Sequence, residues 1–255
     1  MSDAGRTNIL VACFPKSGST YLCGLLAEIT KFPQLGLVQF YGQNEQDLFE
    51  PAVKVLRTTD SVTQQHVKAT NFNVQLMQQY GLRPVVLVRN IFDVLISVHD
   101  HYERECHLGP LGYIHHEYRS MSFEERMWFL IHVHLPWYFN FFASWRQEMP
   151  NLRPLWLSYE QFFSDQAGWV RRILEFYGLS VTDAEIERAL TAMPGKFTRL
   201  NVGKSGRGST LPHRHREAIF RLAMVWKIDL ADMHLIGLGS DTAAASELTD
   251  SRCAA

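Results

Sequence analysis

The stretch NILVACFPKSGSTY, residues 8–21, joins an apolar run to a short polar loop. Residues 8–14 are mainly apolar and end at Pro15, a pattern typical of a strand that is buried on both faces. After Tyr21 the apolar residues recur at the spacing of a helix face, which predicts a helix over 21–31. The chain therefore opens with a strand, a glycine-containing loop and a helix.

Strands and helices continue to alternate along the chain. Further strands are predicted at residues 65–70, 84–88 and 153–158. The predicted helices are a short one near Val53 and longer ones at 73–80, 91–102, 123–148 with a bend at Pro136, 168–177, 183–192 and 212–226. Short apolar strands between helices predict an α/β fold, a three-layer sandwich with a central parallel sheet flanked by helices. We expect a single domain over residues 1–239 and a flexible C-terminal tail over 240–255.

Composition excludes several classes of protein. The 255 residues contain 25 Lys and Arg against 26 Asp and Glu, so a general nucleic-acid binder is not expected. No apolar stretch approaches the roughly 18 residues of a membrane span, and the N-terminus lacks the apolar region of a signal peptide. The four cysteines are far apart, which favours a reducing compartment. We expect a cytoplasmic protein, and the sequence makes no prediction of its oligomeric state.

Three stretches have the chemistry of anion sites. In residues 15–21, a loop that opens a helix presents backbone N–H groups, Lys16 supplies a positive charge, and Ser19 and Thr20 supply hydroxyl donors. The alternative is a turn rich in serine and glycine that only caps the helix. This loop lacks the G-x-x-x-x-G-K-[ST] pattern of a Walker A loop.

The second stretch begins at Arg89, which follows the PVVLV strand at the edge where parallel sheets bind ligands. Arg89 and Ser97 are predicted to clamp a second phosphate, and the alternative is a structural ion pair between Arg89 and Asp93.

The third stretch, residues 188–216, contains seven Lys or Arg and no Asp or Glu. Residues 203–208 (GKSGRG) at its centre are typical of a flexible loop that closes over an anion, and the alternative is a solvated basic loop.

These motifs together resemble a known enzyme family. PKSGSTY at residues 15–21 resembles the 5′-phosphosulfate loop of sulfotransferases that use 3′-phosphoadenosine 5′-phosphosulfate (PAPS). RNIFDV at 89–94, followed by Ser97, resembles the 3′-phosphate motif of that family. Residues 157–160 and 173–179 resemble a later strand end and helix, and 203–208 resemble the C-terminal cofactor lid. The motifs occur in the family's order between Asn8 and about Gly237.

The resemblance implies a P-loop NTPase-like topology and an activity. PAPS would donate a sulfuryl group by in-line displacement to a hydroxyl or amine of a small-molecule, lipid or sugar acceptor. Adenosine 3′,5′-bisphosphate (PAP) would be the nucleotide product. The alternatives are a P-loop kinase-like phosphotransferase, which the missing Walker A loop disfavours, and a non-catalytic nucleotide-binding module on the same fold.

The resemblance also assigns roles to individual residues. Lys16 would contact the bridging oxygen, and Tyr21 stands where the family usually has a tryptophan that stacks on adenine. The remaining nucleotide contacts would come from Ser17, Gly18, Ser19 and Thr20 at the 5′-phosphate, Arg89 and Ser97 at the 3′-phosphate, Tyr159 at the adenine, and Gly203 and Lys204 in the lid. The lid lacks two basic residues that are usual in the family, which Lys204, Arg207 or Arg199 would replace.

The general base is the open question. The family often places a histidine in a strand that reads Lys-Thr-His, but Thr70 stands at that position here. Because side chains alternate along a strand, His66, Lys68 and Thr70 are expected to share one face, and His66 is the first candidate. The rivals are Asp100 and His101 beyond Ser97, and Glu45 and Asp47 in the early loop.

Three histidine pairs and an aromatic segment are weaker indicators of function than the motifs above. His99/His101, His132/His134 and His213/His215 are spaced two apart, which points their side chains in different directions on a helix, so no metal site is expected. The aromatic residues of 123–148 are expected mainly in the core, while Tyr113, His115 and His116 are candidates for a pocket rim.

Overall fold

A four-stranded parallel sheet forms the centre of the protein. The computed structural model describes residues 5–40, 46–104, 108–109, 112–114, 116–193 and 205–239. Its strands, in the spatial order β2-β1-β3-β6, are β2 (Ser61–Gln65), β1 (Asn8–Cys13), β3 (Pro84–Val88) and β6 (Leu155–Ser158). A separate antiparallel pair consists of β4 (Leu108–Gly109) and β5 (Gly112–Tyr113).

Helices connect and cover the strands. The α-helices are α1 (Ser19–Thr30), α2 (Glu50–Val55), α3 (Asn71–Gln79), α4 (Ile91–Arg104), α5 (Phe123–Val133), α6 (Leu135–Gln147), α7 (Met149–Leu152), α8 (Tyr159–Ser164), α9 (Gln166–Phe176), α10 (Asp183–Ala192), α11 (His213–Val225) and α12 (Leu230–Met233). Short 3-10 helices lie at His116–Ser120, Arg207–Thr210 and His234–Ile236. None of the described helices combines the length and apolar character needed to cross a membrane.

The sheet separates two apolar cores, as the alternation of side chains along β1 requires. Leu10 and Ala12 point into a core that includes residues of α3–α6 and α11. Ile9 and Val11 point into a second core with α1, α9 and α10. The predicted three-layer α/β architecture, with a central parallel sheet flanked by helices, is confirmed. The proposed tail at 240–255 lies outside the described residues.

The predicted strand at 65–70 is wrong, because the strand lies at Ser61–Gln65. β2 is the edge strand of this sheet and pairs with β1, and their last partner pair is Gln65 with Ala12. On its other side β2 forms an isolated parallel bridge, between Val62 and Gln34. Beyond Ala12 the neighbouring chain soon turns into the loop at Pro15, so residues after Gln65 have no strand to pair with. Burial nevertheless alternates along 66–70, with Val67 and Ala69 buried and the residues between them more exposed.

The predicted long helix at 123–148 is two helices. α5 ends at Val133 and α6 begins at Leu135, with His134 between them. Pro136 occupies the first turn of α6, where its missing N–H costs no intrahelical hydrogen bond. The proline therefore starts a new helix instead of bending a continuous one.

Phe14 connects the sheet to the loop that follows it, and its removal is expected to destabilise the fold. Its ring is fully buried and packs on Tyr138 at 4.9 Å and on Phe141 at 5.2 Å between ring centroids. Phe14→Ala should lower the free energy of unfolding by about 3–5 kcal/mol, because it leaves a cavity among aromatic rings. Denaturant unfolding measures this change. Phe72→Ala is the matched control, since Phe72 is 54% exposed, and it should change stability by less than about 0.5 kcal/mol. Equal effects of the two substitutions would contradict the packing described here.

Candidate active site

The loop between β1 and α1 has an unusual backbone. Lys16 and Gly18 both adopt left-handed conformations, with φ values of 67° and 78°. Such a value is strained for a lysine and ordinary for a glycine. A Cβ at Gly18 would also lie 3.0 Å from a ring carbon of Tyr159. The loop thus turns sharply into α1, and the N-terminus of a helix presents N–H groups of the kind that attract anions.

Arg89 joins this loop to the end of β3. Its Nη1 donates a hydrogen bond to the carbonyl oxygen of Lys16 at 3.0 Å. Its guanidinium carbon lies 4.1 Å from the ring centroid of Tyr159, a cation–π contact. Because β1 and β3 are parallel neighbours, their carboxyl ends meet at one edge of the sheet. The two anion sites predicted from the sequence are therefore adjacent.

Hydroxyl groups of the loop have partners within the protein. The Ser17 hydroxyl donates to the carbonyl oxygen of Phe14 at 2.6 Å, so its proton does not point towards a ligand. The Thr20 hydroxyl donates to Gln64 Oε1 at 3.3 Å. Ser19 is buried beside the Cys13 thiol, to which it is hydrogen-bonded. The expectation that Ser19 and Thr20 supply hydroxyl donors to an anion is therefore corrected, because both hydroxyls are engaged within the protein.

The two tyrosines predicted at the adenine lie against the protein. The Tyr21 hydroxyl donates to Gln166 at 2.9 Å, and its ring stacks on Phe163. Tyr159 is 2% exposed, with its ring against Arg89 and Phe163. Tyr159 thus supports the guanidinium, a role that the sequence did not indicate, and its contact with adenine stays a prediction.

His66 lies directly after β2, half-buried beside the loop. Its Nδ1 is 2.9 Å from the carbonyl oxygen of Cys13, which can only accept, so Nδ1 carries the proton. Burial, aided by the positive charge of Lys16, lowers the pKa of His66 from 6.5 to about 4. Near neutral pH the ring is uncharged, with the lone pair on Nε2, which is the form that a general base requires.

The segment after His66 is held by a buried asparagine. Asn73 Nδ2 donates to the carbonyl oxygen of Lys68 at 3.0 Å and to Asp47 at 2.7 Å. Thr70, at the position of the family's usual histidine, caps α3 through its hydroxyl. Lys68, like His66, is half-buried, while Val67 between them is buried.

The Asp100 carboxylate, a candidate for the general base, is paired with Arg207. Its Oδ2 is 2.7 Å from Nη2 of Arg207, and its side chain also lies near His99. The structure thus places Asp100 and Arg207 in one ion pair, although the sequence assigned one to catalysis and the other to the lid. The role of Asp100 as the general base stays a prediction beside that of His66.

Asp93 and Ser97 follow Arg89 on the buried face of α4. The Asp93 carboxylate is 3.7 Å from Nη2 of Arg89, which bears out the predicted ion pair only as a loose one. Its two oxygens instead accept hydrogen bonds from the N–H groups of Gly206 and Gly208, at 2.8 and 2.7 Å. Ser97 is 5% exposed, one helical turn beyond Asp93.

Several predicted positions lie outside the described residues. They are Glu45, His115, Arg199, Gly203 and Lys204. Among the described residues, no group of three or more His, Cys, Asp or Glu side chains is arranged to hold a metal ion.

Some residues around the site were missed by the sequence analysis. Gln46 is buried, and its Oε1 accepts the backbone N–H of His66 at 2.9 Å. Glu160 accepts the N–H of Asn90 at 3.2 Å, and burial raises its pKa. Neither has a local sequence signal, because each partner is distant in the chain. Asn73, three residues after Thr70, fits the pattern of a capped helix start and was accessible to such reasoning.

Comparison with known proteins gives a family and a fold. A family model described as the sulfotransferase domain matches residues 6–201. The structure is similar to that of mouse sulfotransferase SULT7A1 complexed with PAP (TM-score 0.67, 14% identity, 89% of this chain and 88% of that chain). It is also similar to retinol dehydratase in complex with androsterone and PAP (TM-score 0.60, 16% identity, 88% and 82%). Among curated proteins, none matches this chain.

The protonation of His66 is directly testable. An NMR titration of the ring should give a midpoint near pH 4 and the Nδ1–H tautomer at neutral pH, because burial and Lys16 disfavour the charged form. His66→Gln identifies the resonance. Since the folded state lowers this pKa, the group's contribution to stability is complete above about pH 6.5 and declines as the pH falls towards 4. A midpoint near the ordinary value of 6.5 would contradict the geometry.

Proposed function

The chain belongs to the sulfotransferase domain family and is an enzyme that transfers sulfuryl groups, and we propose how its residues do so. The donor in this proposal is PAPS, and the product is PAP. The structural neighbours crystallised with PAP support this choice of nucleotide. Neither the kinase-like nor the non-catalytic alternative has such support.

The contact between Arg89 and Lys16 carries the proposal. PAPS has a phosphate at the 3′ position and a phosphosulfate at the 5′ position of one ribose, so its two anionic ends require neighbouring sites. The 3.0 Å hydrogen bond between Arg89 and the Lys16 carbonyl places the helix-terminus loop and the guanidinium side by side. Two positive sites at one edge of the sheet match one bisphosphorylated nucleoside.

Different residues contact different parts of the nucleotide. Backbone N–H groups of residues 17–20 bind the 5′-phosphate at the start of α1. Arg89 and Ser97 bind the 3′-phosphate. Tyr21 supports the adenine from α1, and Tyr159 holds Arg89 in place.

Transfer then needs a proton acceptor and a stabilised leaving group. His66 Nε2 removes the proton of the acceptor hydroxyl while the acceptor oxygen bonds to sulfur. The bond from sulfur to the bridging oxygen breaks on the opposite side, and PAP leaves with the electron pair. Lys16 offsets the charge that develops on the bridging oxygen. Lys68, two residues after His66, faces the acceptor in this proposal.

We propose a small-molecule acceptor. Retinol dehydratase, a structural neighbour, has been crystallised with androsterone and with retinol. We also propose that residues 1–239 act as one domain and that the protein is cytoplasmic, which the buried free thiols of Cys13 and Cys23 support. Incubating the protein with PAPS and a metabolite extract, followed by mass spectrometry, identifies the acceptor by the gain of one SO₃ group.

Nucleotide preference tests the donor. PAP should raise the melting temperature well above the effect of ATP with Mg²⁺ at equal concentration, because only PAP places a phosphate at Arg89. Arg89→Ala should remove most of this difference. A larger rise in the melting temperature with ATP and Mg²⁺ would favour the kinase-like alternative and contradict PAPS as the donor.

Catalytic roles are tested by separating turnover from binding. His66→Ala should lower kcat by about 10²–10⁴-fold, since it removes the base, and should leave the Kd for PAP nearly unchanged. Lys16→Ala should lower kcat by roughly 10²–10³-fold through lost stabilisation of the leaving oxygen. Thr70→Ala is the comparison variant for His66→Ala, because Thr70 caps a helix nearby and takes no part in proton transfer here. Near-normal turnover of His66→Ala would exclude His66 as the base.

A further inference from the structure

Asp93 lies between the proposed 3′-phosphate site and a distant segment of the chain, Gly206–Gly208. Its side chain is almost fully buried at the start of α4. Oδ2 accepts the N–H of Gly206 and Oδ1 accepts the N–H of Gly208, so both oxygens are used by this segment. Hydrogen bonds to a charged group are worth more than neutral ones, so this contact is a strong local tie.

Gly206–Gly208 fits closely against α4. Gly206 has a φ of 83°, which favours glycine. A Cβ at Gly208 would lie 2.2 Å from Cβ of Phe92, so no other residue fits without displacing the segment. Between the two glycines, Arg207 pairs with Asp100 at 2.7 Å, two helical turns beyond Asp93. Consecutive residues of the segment are thus fastened to the same helix.

The same carboxylate faces Arg89. The distance of 3.7 Å between Oδ2 and Nη2 is longer than a hydrogen bond, although Asp93 and Arg89 are four residues apart and both are buried. Without the two glycine N–H groups, a buried carboxylate would need another partner, and the adjacent guanidinium is suited to bidentate pairing. A carboxylate paired in this way competes directly with a phosphate.

We propose that Gly206–Gly208 is a positioning element for the 3′-phosphate site. By binding the Asp93 carboxylate, the segment prevents a bidentate Arg89–Asp93 pair and so preserves the affinity of Arg89 for phosphate. This inference rests on the proposed function, because it takes Arg89 as the 3′-phosphate ligand. By thermodynamic reciprocity, a phosphate bound at Arg89 also strengthens the docking of the segment on α4.

The test measures the preference for a 3′-phosphate, as the ratio of the Kd for adenosine 5′-monophosphate to the Kd for PAP. Gly208→Ala displaces the segment while it keeps Asp93, and this ratio should fall about tenfold. Asp93→Asn removes the competing charge, so its ratio should equal or exceed that of the wild type. In the double variant, Asp93→Asn should restore the ratio to within about twofold of the Asp93→Asn value.

Each outcome decides the proposal. The proposal is overturned if Gly208→Ala leaves the ratio unchanged. It is also overturned if Gly208→Ala lowers the ratio equally in the Asp93→Asn background, or if Asp93→Asn alone lowers the ratio. A merely structural role would lower the melting temperature without this pattern in the ratio. If Gly208→Ala does not fold, Asp100→Asn loosens the segment by removing the ion pair to Arg207. The ratio of Asp100→Asn should fall by less than that of Gly208→Ala, and only when Asp93 is present. An unchanged ratio in Asp100→Asn would overturn the proposal.

Arg89→Ala separates this inference from the proposed function. If the wild type shows no preference for PAP, or if Arg89→Ala keeps it, the assignment of the 3′-phosphate to Arg89 fails. If the preference exists and depends on Arg89, but the double variant does not restore it, only the role of Gly206–Gly208 fails.

Discussion

The hydrogen bond from Arg89 to the carbonyl oxygen of Lys16 is the contact on which the site depends. It joins the ends of two neighbouring parallel strands and holds Lys16 in a left-handed conformation that a lysine rarely adopts. The cost of that conformation is met only where surrounding contacts determine it, and Arg89 is itself fixed by the ring of Tyr159. The same contact therefore fixes both the backbone conformation of Lys16 and the position of the Arg89 charge, without a ligand.

Buried charge explains the surroundings of this contact. Arg89 and Asp93 are both less than a tenth exposed, and Glu160 lies close enough for their charges to affect its pKa. Isolated charges are costly in such a place, so each finds hydrogen bonds or an opposite charge. The partners come from different parts of the chain: the loop after β1, the start of α8 and the segment before α11. The site therefore also connects these three distant parts of the chain.

Local patterns predicted most of the architecture and only part of the site. β1, β3 and α4 follow from apolar runs and helical spacing, and the adjacency of Lys16 and Arg89 follows from their places at the ends of two neighbouring parallel strands. The strand β2 was misplaced because its sequence alternates beyond Gln65, whereas its partner strand has already ended. The contacts of Thr20 with Gln64 and of Asp93 with Gly208 depend on three-dimensional packing, which no local pattern encodes.

The tie between Asp93 and Gly208 also has a consequence for biosynthesis. The two residues are 115 positions apart, so the carboxylate cannot reach its amide partners until the later part of the chain has left the ribosome. Contacts of such long sequence separation slow folding, because loop closure precedes the energetic gain. Until then the Asp93 carboxylate, at the start of α4, lacks these two amide partners. We therefore expect the nucleotide-binding edge of the sheet to mature late, after synthesis of the α11 region.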